Sequence, residues 1–189
     1  MHRRAGTVSP ARTRAAPLPR ALLRCPESAL STLALRSRVP ILYIDGKAVV
    51  GQSKAIERFL AQRLGLYGAN DVEGAQVDMI GEHVRDIKDA YAKAKAAGNA
   101  DAFLATDLAT WLLKLDKCVT QTGTPGYAVG NKISLAGLQI YNLCVDFFDN
   151  KEAAAAATAK APAVAAIVAN VANNDKMKAW LASRPVTMF

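Results

Sequence analysis

Gln52-Ser53 is the dipeptide of this chain whose type and placement most invite chemistry. It stands between an apolar, β-branched run and a segment in which Ile56, Phe59 and Leu60 recur at helical spacing. A serine in that place is a good N-cap. The first turn of a helix offers unpaired N–H groups and the positive end of the helix dipole, and together these attract a carboxylate. Other reactive side chains are sparse. The three cysteines, Cys25, Cys118 and Cys144, are widely scattered and show no C-x-x-C spacing, so they suggest neither a disulfide framework nor a zinc site. A reducing compartment is the default for such a chain. The two histidines are His2 and His83. His83 has no Cys or His at ligand spacing and reads as an exposed or partly packed side chain, with no metal expected. One usable histidine does not make a Ser-His-Asp set.

The elements that must hold Gln52 and Ser53 begin at Val39. Val39 to Ile44 is β-branched and aromatic, Asp45-Gly46 is a strong hairpin dipeptide, and Ala48 to Val50 reads as the returning strand. Pro40 cannot donate to a ladder, so it belongs at a strand start, an edge or a cis turn. The helix opened by Ser53 runs toward Leu64, with Gly65 as its C′ residue. From Val72 onward the signal is helical. Val77, Ile80, Val84, Ile87 and Tyr91 form an apolar stripe, and Asp78, Glu82, Arg85, Asp86, Lys88 and Asp89 form the opposite, solvated face. Asp101 caps a second helical stretch with Leu108, Trp111, Leu112, Leu115 and Val119 on one side. A turn-rich loop spans 121–130. Ser134 is the expected N-cap of the next helix, with Ile133 and Leu138 as its hydrophobic staple, and Gly137 in its first turn adds about 1 kcal/mol of helix cost. Ala153 to Ala157 reads as a helix or a poorly fixed connector, Pro162 opens a further helix at its first turn, and Asp175 caps the last.

Composition narrows the function classes. Half of the residues are apolar, as in a globular chain, and no apolar run approaches the ~18 residues of a membrane span, so no membrane association is expected. The formal net charge is +8. Residues 1 to 38 hold eight Arg and one acid, Glu27, for +7; the remainder hold sixteen basic and fifteen acidic residues, for +1. The basicity therefore belongs to the leader and not to a groove on a folded body, which argues against a nucleic-acid partner. Residues 1–36 are rich in Arg, Ala, Ser and Pro, the composition of an organellar transit peptide. The alternatives are a disordered leader or an amino terminus taken from an incomplete gene model. The expected location is cytoplasmic, or mitochondrion or plastid if residues 1–36 are a transit peptide.

Val39-Pro40-Ile41-Leu42, Asp45-Gly46 and Gln52-Ser53-Lys54-Ala55-Ile56, in this order and spacing, resemble the second half of the thioredoxin-like domain of glutathione S-transferases. The segment 73–91, EGAQVDMIGEHVRDIKDAY, resembles the first long helix of sigma-like members. Val129-Gly130-Asn131 followed by Ser134 and Ala136 resembles the segment that starts a buried helix in the family, with Gly137 in place of the family's acidic residue. Lys178 to Pro185 resembles the family's terminal motif. The fold implied is mainly α with a partial α/β part. It consists of a leader, 1–36, a remnant of a thioredoxin-like domain, 37–66, and an all-helical C-terminal domain, 70–189. One residue more than the family pattern lies between Pro40 and Gln52, so a β-bulge is expected in the hairpin.

The resemblance also implies a site. The backbone of Val39, ahead of a cis Pro40, pairs with the cysteinyl part of glutathione. Gln52 and Ser53 hold its γ-glutamyl end, and Asp86 reaches the γ-glutamyl amine from the partner subunit of a homodimer. Glutathione is a substrate, and a small apolar electrophile receives its thiolate or a bound substrate is isomerised. Met188 and Phe189 are candidates for the wall of the electrophile pocket. No catalytic residue is identified. The family's Tyr, Ser or Cys follows its first strand, no Tyr precedes Tyr43, and Cys25-Pro26 lies too near Pro40 for a helix and a strand to intervene. Little or no conjugating activity is therefore expected of the chain as given. The alternative function is a non-catalytic module on the same scaffold, serving dimerisation or ligand binding.

Overall fold

A computed structural model describes residues 40–46 and 48–185. Val39, the leader, Met188 and Phe189 lie outside the described residues. The described chain is mainly α with one small sheet, as the resemblance implies. It falls into two units, up to Ile56 and from Glu57 onward.

In the first unit, β1 (Ile41–Ile44) and β2 (Ala48–Gly51) form an antiparallel hairpin. Asp45 and Gly46 take φ of 49° and 67°, the left-handed pair that a tight reversal uses. Ile41 pairs with Gly51, Leu42 with Val50, Tyr43 with Val49 and Ile44 with Ala48. This register is unbroken, so the expected bulge is absent from the ladder. Helix α1 (Ser53–Leu64) follows β2 with only Gln52 between them.

In the second unit, α1 ends as its sequence predicts. Gly65 adopts φ 72°, and the Leu66 N–H reaches back to the Ala61 carbonyl at 2.8 Å. That bond satisfies a carbonyl left over at the helix end, and only glycine takes this conformation at little cost. Helix α2 (Asp71–Ala96) is capped by Asn70, whose side chain accepts from the Glu73 N–H at 3.0 Å. Its stripe of Val77, Ile80, Val84, Ile87 and Tyr91 is buried throughout. A short helical turn, Ala100–Ala102, and a π-helical stretch, Phe103–Asp107, lead into α3 (Leu108–Thr122). Asn99 stands at the N-cap of the short turn Ala100–Ala102 and Asp101 lies within that turn, so Asp101 is not the cap.

Helix α4 (Leu135–Tyr141) runs into a second π-helical stretch, Asn142–Phe147. Ser134 stands at the N-cap, but its hydroxyl makes no capping bond and is buried without a partner. The Ala-rich segment is a helix, α5 (Lys151–Thr158), capped by Asn150 and buried at Ala154 and Ala157. Helix α6 (Pro162–Asn173) opens on its proline, and α7 (Asp175–Ser183) is capped by Asn174, not Asp175. The Asn174 side chain, one residue earlier, accepts from the N–H groups of Lys176 and Met177.

One contiguous core links α2, α3, α4, α5 and α6, with Leu108, Leu112, Leu115, Ile140, Leu143 and Ile167 among its buried members. An aromatic cluster closes one end of it. Tyr91 meets Phe103, Phe147 and Phe148 with ring centroids 5.1–5.9 Å apart, the spacing of edge-to-face packing. Among the described residues no single helix is long and apolar enough to cross a membrane; α5 and α6 reach that composition only as a pair bent by 119°.

Candidate functional site

The hairpin register decides how the first set of candidate residues meets. Because Ile41 faces Gly51, Pro40 and Gln52 are the next residues at the same, open end of the hairpin. Ser53 follows at once as the first residue of α1. Three residues that are twelve and thirteen positions apart in sequence thus converge at one helix start. All three are exposed.

The cap itself differs from the sequence expectation. The Gln52 carbonyl accepts the first helical bond, from the Ile56 N–H at 3.1 Å, so Gln52 and not Ser53 occupies the N-cap. Gln52 has φ 72°. A non-glycine residue in the left-handed region costs of order 1 kcal/mol, and such residues cluster where a ligand is clamped. The physical reason is the abrupt passage from strand to helix, which leaves a single residue to turn the chain. Ser53 therefore presents both its hydroxyl and its N–H ahead of the first intrahelical bond.

Asp86 lies in the second unit, exposed on α2. One turn before it, His83 is half-buried with its ring edge on Trp111, centroids 6.1 Å apart. Burial pulls the His83 pKa below its ordinary value; Asp86 opposes that shift and Lys114 adds to it. Lys114 in turn lies 5.1 Å above the Trp111 ring.

Several polar contacts escaped sequence reasoning. Asp78 does not belong to a purely solvated face. Its carboxylate accepts from Arg58 Nε at 2.9 Å and from the Tyr67 hydroxyl at 2.5 Å, tying α1 and the segment after it to α2. Burial and then the Asp78 bond raise the Tyr67 pKa, and the Asp78 bond raises that of Arg58. Lys88, also assigned to the solvated face, bonds Asn142 Oδ1 at 2.8 Å and sits 4.6 Å above the Phe147 ring. Gln139 on α4 donates to Glu57 Oε2 at 2.8 Å. Its other amide atom is buried without a partner and packs on Gly81, where a Cβ would stand 2.8 Å from it. The helices approach that closely only because Gly81 has no side chain. No local signal marks these pairs, since their partners lie 11 to 82 residues away.

Among the described residues the two thiols offer no nucleophile. Burial pushes Cys144 up to about 11 and raises Cys118 as well, whereas a reactive cysteine sits in electropositive, partly exposed surroundings that lower its pKa. Among the described residues no group of His, Cys, Asp and Glu could hold a metal ion.

Comparison with known proteins gives this geometry its context. Residues 77–184 match the glutathione S-transferase C-terminal domain family. The chain is 32% identical over 158 residues to the probable glutathione S-transferase 6 of Caenorhabditis elegans, covering 78% of this chain and 74% of that protein. The chain belongs to the glutathione S-transferase family. Bovine (Bos taurus) glutathione S-transferase P is 33% identical over 154 residues, covering 74% of this chain and 66% of the relative. Among solved structures, the Pi-class glutathione S-transferase of Onchocerca volvulus superposes with a TM-score of 0.69 at 26% identity, over 85% of this chain and 79% of that one. Prostaglandin synthase D of Nilaparvata lugens gives 0.66 at 25%, over 87% and 84%. The helices across residues 77–184 thus form the family's C-terminal domain, with the small sheet ahead of them.

Proposed function

We propose that this glutathione S-transferase chain binds glutathione at the open end of the hairpin. In this reading the backbone at Val39-Pro40 pairs with the cysteinyl moiety, and Gln52 and Ser53 take the γ-glutamyl carboxylate at the start of α1. Asp86 is contributed by the second subunit of a homodimer and meets the γ-glutamyl amine. The observation that carries the reading is the register that sets Pro40 beside the strained Gln52. A helix start with a serine hydroxyl and a free N–H is suited to a carboxylate. The held thiolate is then presented to a small apolar electrophile, since the thiolate and not the thiol is the nucleophile. The division between the two domains is placed between residues 66 and 70, and the sigma-like class rests on the helix 73–91. A location in the cytoplasm, or in an organelle if residues 1–36 are a transit peptide, is part of the same proposal.

The test is calorimetric titration of the full chain with glutathione. Gln52→Ala together with Ser53→Ala is expected to weaken binding about tenfold or more, roughly 1.4 kcal/mol. The melting temperature should hold, because both side chains are exposed. Equal affinity of parent and variant would remove these residues from the site.

The second reading, a non-catalytic module on this scaffold, is supported by the distribution of the core. Every buried apolar residue among those described lies from Ala61 onward, so a helical body remains available for dimerisation or ligand binding whatever the hairpin does.

A further inference from the structure

The second unit contains a recess that the glutathione reading does not use. It lies between the C-terminal end of α3, the loop 123–127 and the first half of α6, and its volume is about 340 Å³. Pockets that enclose small molecules begin at about this size. Val119 and Ile167, both buried, are among the residues that line it. Pro125, Tyr127 and Pro162 contribute flat, rigid faces, and Ala163 and Ala166 leave the space open.

Hydrogen bonds hold the walls in place. Asp116 Oδ1 accepts from the N–H groups of Ala163 and Val164, at 2.7 and 2.9 Å, and so fixes the start of α6 against α3. Asn170 Nδ2 donates to the Gly126 carbonyl at 2.8 Å. The Thr122 hydroxyl donates to the Ala128 carbonyl at 2.7 Å, and the Thr124 and Gly130 N–H groups close the loop at 2.8 and 2.9 Å. The recess is therefore preformed, which spares a ligand the entropy of ordering it.

The chemistry of the lining selects the occupant. No Lys, Arg, His, Asp or Glu lines the recess, so an ion would lose hydration there without compensation. A tyrosine ring and two proline rings favour a flat aromatic face. The hydroxyls of Thr120 and Thr124 spend their protons on the Lys117 and Gly130 carbonyls, at 2.9 and 3.1 Å. Their oxygens are left to accept a hydrogen bond. We propose that this recess is a second binding site, for a small neutral aromatic molecule that carries one N–H or O–H donor.

The experiment follows the methyl resonances of the full chain during titration with indole. Saturable shifts at Ala163, Ala166 and Ile167 are expected, with a dissociation constant of about a millimolar or tighter. Ala166→Leu fills the space and should weaken binding at least tenfold while the remaining methyl spectrum persists. Ala163→Val is the second variant, for use if Ala166→Leu does not fold. The Gln52→Ala, Ser53→Ala variant should bind indole as the parent does, which separates this site from the glutathione reading. The proposal is overturned if the shifts do not saturate, if they centre elsewhere, or if a folded filling variant binds indole as well as the parent. Shifts at these methyls that depend on protein concentration without indole would assign the recess to a second copy of the chain, and would overturn it equally.

Discussion

Between Pro40 and Ile56 no described residue is buried: β1 is half-exposed along its whole length, and Ala48, Val49, Gln52 and Ser53 are exposed. From Glu57 onward the picture inverts, and Ile80, Ile87, Leu108, Leu112 and Leu143 have no accessible surface at all. Pro40, Gln52 and Ser53, proposed to bind glutathione, thus stand where apolar burial is least, while nearly all of the burial lies in the helices. A two-stranded hairpin is marginally stable by itself, and ligand-holding segments are commonly drawn from the low-stability end of a structure. Stability and the proposed binding should therefore respond to different substitutions.

The widest separation is expected from the core. Leu112→Ala empties a fully buried site and should cost about 2–5 kcal/mol in chemical denaturation. Leu42→Ala on the half-exposed β1 should cost roughly 1 kcal/mol or less, since less area returns to water. Equal costs would mean that the hairpin carries as much of the folding free energy as the helices. A smaller effect is expected from Asp116→Ala, which removes the acceptor of two N–H groups at the start of α6. The loss should be about 1–2 kcal/mol, in the range of a lost N-cap, with glutathione affinity unchanged. A change in that affinity would show that the two regions are coupled. The smallest effect has the opposite sign. At Gly137 a new Cβ would meet only the Ile167 and Val171 methyls, at 3.7 Å, which is ordinary contact. Gly137→Ala should therefore stabilise the chain by up to about 1 kcal/mol, through helix propensity alone. A lowered melting temperature would show that α4 and α6 have no room for the methyl.

The two regions also differ in how far they could be read in advance. The stripe from Val77 to Tyr91 was legible because a 3.6-residue period survives burial unchanged. The reversal at Asp45-Gly46, the C′ role of Gly65 and the start of α6 at Pro162 were legible because each depends on the φ preference of a single residue. The caps were less so. Gln52 displaced Ser53, and Asn174 displaced Asp175, because a cap depends on which carbonyl accepts the first helical bond, and neighbouring polar residues look alike in sequence. Asp78 and Lys88 read as solvated charges because their partners are remote in the chain. Of the five residues that the sequence named as candidates, the meeting of Pro40, Gln52 and Ser53 at one end depended on the hairpin register.

The sequence by itself determined the hairpin reversal, the course of most helices, which face of α2 is apolar, and the family to which the chain belongs, since these follow from local φ preferences, side-chain periodicity and short motifs. Only the tertiary structure decided that Pro40 and Gln52 share one end of the hairpin, that Asp116 caps a helix 47 residues away, that Gln139 meets Glu57, and that the Ser134 hydroxyl is buried with no partner. Each of these is a question of which polar group finds which other across a closed loop. Hydrogen bonds form at about 3 Å, and sequence spacing does not say which remote groups packing will bring that close.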